Sequence, residues 1–324
     1  MLDGLGRNID YLRISVTDRC NLRCVYCMPP GGVTWVSHEN ILTAEEIIRL
    51  CRLFADLGIH RIRLTGGEPL VRKGLSHLVG EIKSIPGIDH ISVTTNGILL
   101  AEQLPALLDA GLDGVNVSLD TLDQAQFASV ARRDELERAL AGLEAALAAP
   151  SLNVKLNCVP YGENDDQLAP LAALAKNSRL AVRFIELMPI GLGDSMQHRS
   201  QEEVLELLEQ SFGSALPCVQ AEGGGPGQYV TFAGFQGKVG FISALSHKFC
   251  DACNRVRLSA TGYLKTCLQY DTGANLKALL ATGADDAALR EAIVDAIHAK
   301  PASHHFSQER QTRDETRTMN QIGG

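Results

Sequence analysis

The stretch Tyr11-Leu-Arg-Ile-Ser-Val-Thr17 runs directly into Asp18-Arg-Cys20-Asn-Leu-Arg-Cys24-Val-Tyr-Cys27. Residues 11–17 predict a strand, which opens into a loop carrying three cysteines at spacings x3 and x2. The same plan recurs downstream. Strand candidates at 61–66, 91–96, 114–120, 153–159 and 181–187 are separated by helical periodicities: TAEEIIRLCRLFADLG, GLSHLVGEIKS, AEQLPALLDAG, DELERALAGLEAALAA and DQLAPLAALAKN. A further helical pattern, SQEEVLELLEQSF, follows the sixth strand. Thr43 followed by Glu46 reads as a capping box, and Gly58 and Gly111 stand where C-terminal caps belong. Successive strand–helix units predict a parallel α/β architecture with right-handed crossovers. Six units are too few for a full eight-stranded barrel, so a partial (β/α)6 TIM-like barrel is expected. A doubly wound open sheet is the alternative, which periodicity does not separate from it.

After about residue 215 the pattern changes. EGGGPGQY reads as a loop and YVTFAGFQGKVGFIS as a hairpin, followed by a second cysteine group and helices around NLKALL and DAALREAIVDAIHA. A core over 1–215 and a C-terminal region over 216–324 are therefore expected. The polar tail SQERQTRDETRTMNQIGG reads by composition as a mobile, flexible extension.

The chain has 324 residues, 45% of them hydrophobic, enough for one large domain or one domain with an appendage. A net charge of −8 argues against a nucleic-acid partner, which calls for a basic field. The opening MLDGLGRNID has no basic segment before an apolar run, which predicts no signal peptide. Apolar stretches are short and interrupted by charge, which predicts no membrane partner and a cytoplasmic location. In that reducing setting, nine cysteines point to metal or cofactor ligands rather than disulfides. Six fall in two groups, Cys20, Cys24, Cys27 and Cys250, Cys253, Cys267, whereas Cys51, Cys158 and Cys218 read as small buried hydrophobes.

Zinc normally takes four protein ligands in a structural site, and the nearest histidines are His38 for the first group and His247 for the second. An iron–sulfur cluster held by three thiolates leaves one iron open to another ligand, and three closely spaced cysteines without histidine suit that chemistry better. Basic residues also recur on the strands: Arg13, Arg61, Arg63, Lys155 and Arg183, with Arg255 and Arg257 alternating after Cys253. A buried parallel strand should be almost wholly apolar. Long basic side chains can snorkel or pair with acidic helices, but seven on strands and beside the second cysteine group predict an anion pocket suited to a polyphosphate.

C-x3-C-x2-C with Tyr26 before the last cysteine resembles the signature of the radical S-adenosylmethionine superfamily, and Gly66-Gly67-Glu68-Pro69 resembles its element for the methionine amino group. Together with TTNG, NVSLD, RFIELMP, CNRVRL, KPASHHF and the terminal Gly323-Gly324, the whole chain resembles the GTP 3′,8-cyclase family of molybdenum cofactor biosynthesis. The resemblance implies two [4Fe-4S] clusters and S-adenosylmethionine as cofactors. Cys20, Cys24 and Cys27 match the ligands of the cluster that cleaves S-adenosylmethionine, and Tyr26, Gly67, Ser118 and Met188 match contacts to that cofactor. Cys250, Cys253 and Cys267 match the ligands of a second cluster whose open iron faces the guanine base. Arg13, Arg63, Thr94, Lys155, Arg255, Val256 and Arg257 match GTP-binding positions, with Arg61 and Arg183 as additions of less defined role.

The implied reaction is that of a lyase. A 5′-deoxyadenosyl radical abstracts the ribose 3′ hydrogen of GTP, the carbon radical attacks guanine C8, and reduction with protonation gives (8S)-3′,8-cyclo-7,8-dihydroguanosine 5′-triphosphate. No residue declares itself as the proton donor. The double-glycine tail is implied to reach back into the active site, where only glycine permits so close a backbone approach. The resemblance further implies a reductant for the clusters and a downstream pathway enzyme as partners, and it leaves room for a homodimer. Two other readings predict different features. A peptide maturase with an auxiliary cluster should carry a peptide-docking module and more cysteines, and a redox-sensing regulator should carry a helix-turn-helix or a basic surface.

Overall fold

Alternation along each strand builds the core. In β1 (Tyr11–Ser15), Leu12 and Ile14 are fully buried on one face while Arg13 stands on the other. The same alternation sends outward Ile62 and Leu64 of β2 (Arg61–Thr65), Ile91 and Val93 of β3 (His90–Thr95), and Val115 and Val117 of β4 (Gly114–Ser118). Val154 and Leu156 of β5 (Asn153–Cys158) and Val182 and Phe184 of β6 (Ala181–Ile185) join the same hydrophobic layer. The structure, a computed structural model, describes residues 1–218, 225–306, 312 and 314–323.

The returning helices cover that layer. They are α1 (Ala44–Asp56), α2 (Leu75–Lys83), α3 (Leu100–Asp109), the pair α4 (Gln124–Ala131) and α5 (Leu136–Ala148), α6 (Asp165–Ala173), and α7 (Gln201–Phe212) after β6. The expected cap forms at α1: the Glu46 N–H donates to Thr43 Oγ1 at 3.2 Å, and the Thr43 N–H donates to the Glu46 carboxylate at 2.8 Å. Gly58 and Gly111 both take the left-handed conformation after their helices, with φ of +91° and +87°. Cys51 and Cys158 are buried in the core as expected, whereas Cys218 is only half-buried.

The C-terminal region adds β7 (Leu216–Pro217), β8 (Gln228–Thr231), β9 (Lys238–Ile242), β10 (Arg255–Leu258), β11 (Tyr263–Lys265) and β12 (Gly273–Asn275). Helices α8 (Leu276–Ala281), α9 (Asp286–His298) and α10 (Met319–Ile322) complete it. Among the described residues twelve strands form one sheet, in the order β12-β11-β10-β1-β2-β3-β4-β5-β6-β9-β8-β7. The order from β1 to β6 is sequential and never reverses, which is the winding of a barrel and not of a doubly wound sheet.

The flanks hold a feature that strand counting does not reach. The hairpin of β8 and β9 forms as expected, but β9 then pairs in parallel with β6, and β10 pairs in parallel with β1. Eight consecutive strands are therefore parallel, two of them supplied by the C-terminal region. β9 and β10 do not pair with each other, so the barrel stays open.

The expectation of a mobile tail does not hold for residues 314–323. Glu315 accepts from Lys265 Nζ and from the Arg317 guanidinium at 2.8 Å, His305 Nε2 lies 3.0 Å from Asp314, and Asn320 and Ile322 are buried. Low hydrophobicity misleads here because charge pairing with a buried lysine, not apolar area, ties the segment down. Gly324 lies outside the described residues.

Candidate active site

The first cysteine loop leaves the C-terminal end of β1 and is braced by the turn after β2. A Cβ on Gly66 would lie 2.6 Å from the Thr17 carbonyl oxygen, and one on Gly67 would lie 2.4 Å from that of Arg19. Gly67 N–H donates to the Thr17 carbonyl and Glu68 N–H to the Arg19 carbonyl, both at 2.8 Å. The paired glycines therefore admit the backbone of the cysteine loop itself. Glu68, 2% exposed, accepts from Thr95 Oγ1 and Asn96 N–H at 2.7 Å, and burial still pushes its carboxyl up to about 7. The Tyr26 hydroxyl donates to Asp120 at 2.5 Å, and burial pushes Asp120 up to about 6.

Cys20, Cys24 and Cys27 line one end of a cavity of about 350 Å³, together with Tyr26, Gly67, Ser118 and Met188. Burial pushes the Cys20 thiol up to about 12 and that of Cys27 to about 11, and it raises Cys24 as well. Thiolates at such positions need a cation beside them, as an iron–sulfur cluster provides. Among the described residues no three His, Cys, Asp or Glu side chains converge on a single-ion position. Neither His38 nor His247 lines the cavity that holds the two triplets, and His247 lies 3.3 Å from Glu202.

The wall of the cavity is basic because of register. Arg13 pairs with Arg63 across β1 and β2 and with Arg257 across β1 and β10, which sets three guanidinium side chains side by side on adjacent strands. Burial, followed by Arg257 and Arg63, drives the Arg13 guanidinium well down, and burial followed by Arg255 brings Arg257 to about 10. Such mutual repulsion is relieved by a polyanion. Arg63 donates to Ser92 Oγ at 3.1 Å and lies over the Tyr11 ring, and Arg183 is held by Asn157 at 2.9 Å and Asn116 at 2.7 Å.

The second triplet sits at the other end of the barrel. Because β10 runs parallel to β1, its start lies at the strands' N-terminal end, where Tyr11 N–H donates to the Asn254 carbonyl at 3.2 Å. Cys250 and Cys253 precede β10, and Cys267 follows the antiparallel β11, so all three line the far end of the same cavity. Burial raises the Cys250 thiol. Burial also acts to raise Cys253, but Arg255 and Lys300 bring it down to about 7. The first triplet thus follows the C-terminal end of a barrel strand, where barrel enzymes carry their chemistry, and the second lies at the opposite end.

The tail enters between them. The Asn320 backbone N–H faces the Cys27 sulfur, and Arg257 Nη1 donates to the Gly323 carbonyl at 2.8 Å. Gly323 has φ of +82°, and a Cβ there would lie 2.8 Å from the Ser15 Cβ.

Of the substrate positions expected from the sequence, Arg13, Arg63, Thr94, Arg255 and Arg257 line the cavity, as does Arg183. Three others are placed elsewhere. The Val256 side chain is buried in the core on the opposite face of β10. Lys155 is 7% exposed on β5, one inward position below the lining residue Asn157. Arg61 lies 3.9 Å from Asp10, outside the cavity. Sequence reasoning missed Glu68, Asp120 and Lys300, which also line it, and Arg7, which braces it from behind. Glu68, Asp120 and Lys300 lie in GGEP, NVSLD and KPASHHF, but nothing in a linear motif shows which of its polar residues is turned inward.

Comparison with known proteins agrees with this geometry. Residues 14–175 match the Radical SAM superfamily, and residues 180–306 match Molybdenum Cofactor Synthesis C. GTP 3′,8-cyclases of Heliobacterium modesticaldum and Moorella thermoacetica are 47% and 45% identical, and that of Clostridium perfringens is 41% identical, each over 100% of both chains. Among solved structures, Streptococcus suis SuiB bound to S-adenosylmethionine superposes with a TM-score of 0.59 over 90% of this chain and 68% of that one. At 16% identity that likeness shows the fold alone. With both halves matched and full-length relatives above 40% identity, the chain belongs to the GTP 3′,8-cyclase family of radical S-adenosylmethionine enzymes.

Proposed function

We propose that this chain converts GTP to (8S)-3′,8-cyclo-7,8-dihydroguanosine 5′-triphosphate, the first step of molybdenum cofactor biosynthesis. The observation that carries the reading is a single cavity with a cysteine triplet at each end and arginines along its wall. Cys20, Cys24 and Cys27 hold one [4Fe-4S] cluster, and Cys250, Cys253 and Cys267 hold the other. When bound, the clusters and S-adenosylmethionine supply the radical chemistry.

The chain's own residues bind, aim and shield. Tyr26, Gly67, Ser118 and Met188 form the seat for S-adenosylmethionine, with Tyr26 held by Asp120. Arg13, Arg63, Arg255 and Arg257 take the triphosphate, since their register suits several phosphate oxygens at once. Thr94 and Arg183 complete the substrate wall, with Lys155 one inward position below it on β5. The second triplet then meets the base at the far end. Gly323, held by Arg257, closes the near end and limits water beside a reactive intermediate. Residues 1–215 act as the cofactor-cleaving core and 216–324 as the substrate-facing part.

No helix among the described residues is long and apolar enough to cross a membrane. We further propose a cytoplasmic enzyme that draws electrons from a cellular reductant, hands its product to a downstream pathway enzyme and assembles as a homodimer.

Anaerobic reconstitution with iron and sulfide, followed by S-adenosylmethionine, reductant and GTP, tests the reading. About eight irons per chain and GTP-dependent 5′-deoxyadenosine with cyclised product are expected, since two four-iron clusters are held. Tight zinc at both triplets, or cofactor cleavage indifferent to GTP, overturns it.

A further inference from the structure

Lys300 is 5% exposed and lines the cavity, but it belongs to neither the cofactor seat nor the substrate wall. Its Nζ donates to the Arg255 carbonyl at 3.0 Å and to the Thr266 carbonyl. Arg255 lies two residues after Cys253, and Thr266 lies directly before Cys267. One ammonium thus ties together the two strands that present two of the three cysteines.

The third cysteine is tied to the same segment. The Arg7 guanidinium, 2.6 Å from Asp3, donates to the carbonyls of Pro301 at 2.8 Å, Ala302 at 2.9 Å and Cys250 at 3.0 Å. The His304 backbone N–H faces the Cys250 sulfur. Residues 300–304 therefore touch every arm of the second triplet.

Two carbonyls alone do not explain a charge at this depth. Lys265, equally buried, is neutralised by Glu315. Both hydrogen bonds of Lys300 go to uncharged oxygens; burial disfavours its charged form, Cys253 and Cys267 act against that, and Arg7 and Arg255 add to the penalty. A buried ammonium without a counter-charge costs several kcal/mol, on the order of the penalty for any desolvated ion. An anionic thiolate cluster between those cysteines supplies the missing partner, and a fixed cation beside a cluster favours its more negative, reduced form.

We propose that Lys300 is a positioning residue for the second cluster: its ammonium sets the spacing of Cys253 and Cys267 and raises the reduction potential of the cluster they hold. The proposal rests on the two-cluster reading above.

The test is redox titration of the reconstituted holoprotein, followed by electron paramagnetic resonance of each cluster, for wild type, Lys300→Met and Lys300→Arg. In Lys300→Met the second cluster's midpoint should move to more negative potential while the first stays where it is. Lys300→Arg, which keeps the charge, should restore most of that shift. Loss of the second signal alone in Lys300→Met, with iron halved and the first signal intact, also supports the staple. Should Lys300→Met fail to fold, Lys300→Arg decides: a wild-type second potential supports the charge, and a shifted one overturns it. Full iron with an unmoved second potential in Lys300→Met overturns the proposal, as do equal shifts in the two variants. Wild-type protein loading a single cluster would instead overturn the two-cluster reading itself.

Discussion

Glu315 is the pin that holds the C-terminal tail, and Glu315→Gln should release it. Burial acts to raise this carboxyl, but bonds from Arg317 and Lys265 bring it to about 2 from the ordinary 4.5. At 1.36 kcal/mol per pH unit, that depression corresponds to roughly 3 kcal/mol favouring the docked, ionised state. A depressed carboxylate contributes fully above its ordinary range, and the contribution is lost as pH falls from about 4.5 through about 2. At neutral pH, Glu315→Gln removes the counter-charge of Lys265, which is 0% exposed. The least costly response is local: the tail detaches and Lys265 gains water.

Amides of Gln321, Ile322 and Gly323 donate to the carbonyls of Thr318 and Met319, so their hydrogen exchange reports the detachment. A loss of about 3 kcal/mol predicts an increase of about 100-fold in exchange at those amides, with little change in the amides of β1 to β6. The double variant Lys265→Met/Glu315→Gln, which removes both charges, should recover wild-type exchange to within about 1 kcal/mol. Wild-type exchange in Glu315→Gln, or a double variant loosened by the sum of the two single changes, would refute the reasoning.

Other perturbations have equally specific outcomes. Gly323→Ala meets both a φ of +82° and a Cβ 2.8 Å from that of Ser15, so GTP-dependent 5′-deoxyadenosine formation should fall about tenfold or more at unchanged iron content. Gly67→Ala drives a Cβ into the Arg19 carbonyl at 2.4 Å, and reconstituted iron should drop by about half with the second cluster's resonance retained. Arg257→Met deletes a cavity-wall guanidinium, and calorimetry should show GTP bound about 30-fold more weakly, the equivalent of one charge-assisted contact worth about 2 kcal/mol. Glu68 is held up near 7 by burial, so the iron-free fold should lose up to about 3 kcal/mol as pH rises from about 4.5 through 7. Urea unfolding at pH 5 and pH 8 should show that loss in wild type and a flatter profile in Glu68→Gln.

Most of the architecture was legible because parallel strands and their helices are local objects. The six core strands lie within the stretches expected from alternation to within one or two residues, and the Thr43–Glu46 cap forms as written. The basic residues on those strands contradict the rule that parallel strands are apolar on both faces, and the barrel explains them. Its outer face takes Leu12, Ile62 and Val182 into the helix layer, while its inner face is a ligand cavity that Arg13, Arg63 and Arg183 line. Lys155 and Val256 show where such reasoning stops. Both sit on strands as expected, yet one lies below the cavity and the other faces the core, and only side-chain direction within the finished sheet distinguishes them from Arg257.

The linear sequence carries the cysteine spacings, the strand–helix repeat and the family motifs, because each is written in residues close together along the chain. It could not say that the two triplets occupy opposite ends of one cavity. That depends on β10 returning to pair in parallel beside β1, a contact between residues some 244 positions apart, as between Tyr11 and Arg255. Nor could it show that Lys300 joins the carbonyls beside Cys253 and Cys267, or that Glu315 and Lys265 turn a polar tail into a docked one. Each of these pairs distant groups whose charges are costly to bury alone, so their placement is decided only when the fold brings the partners together.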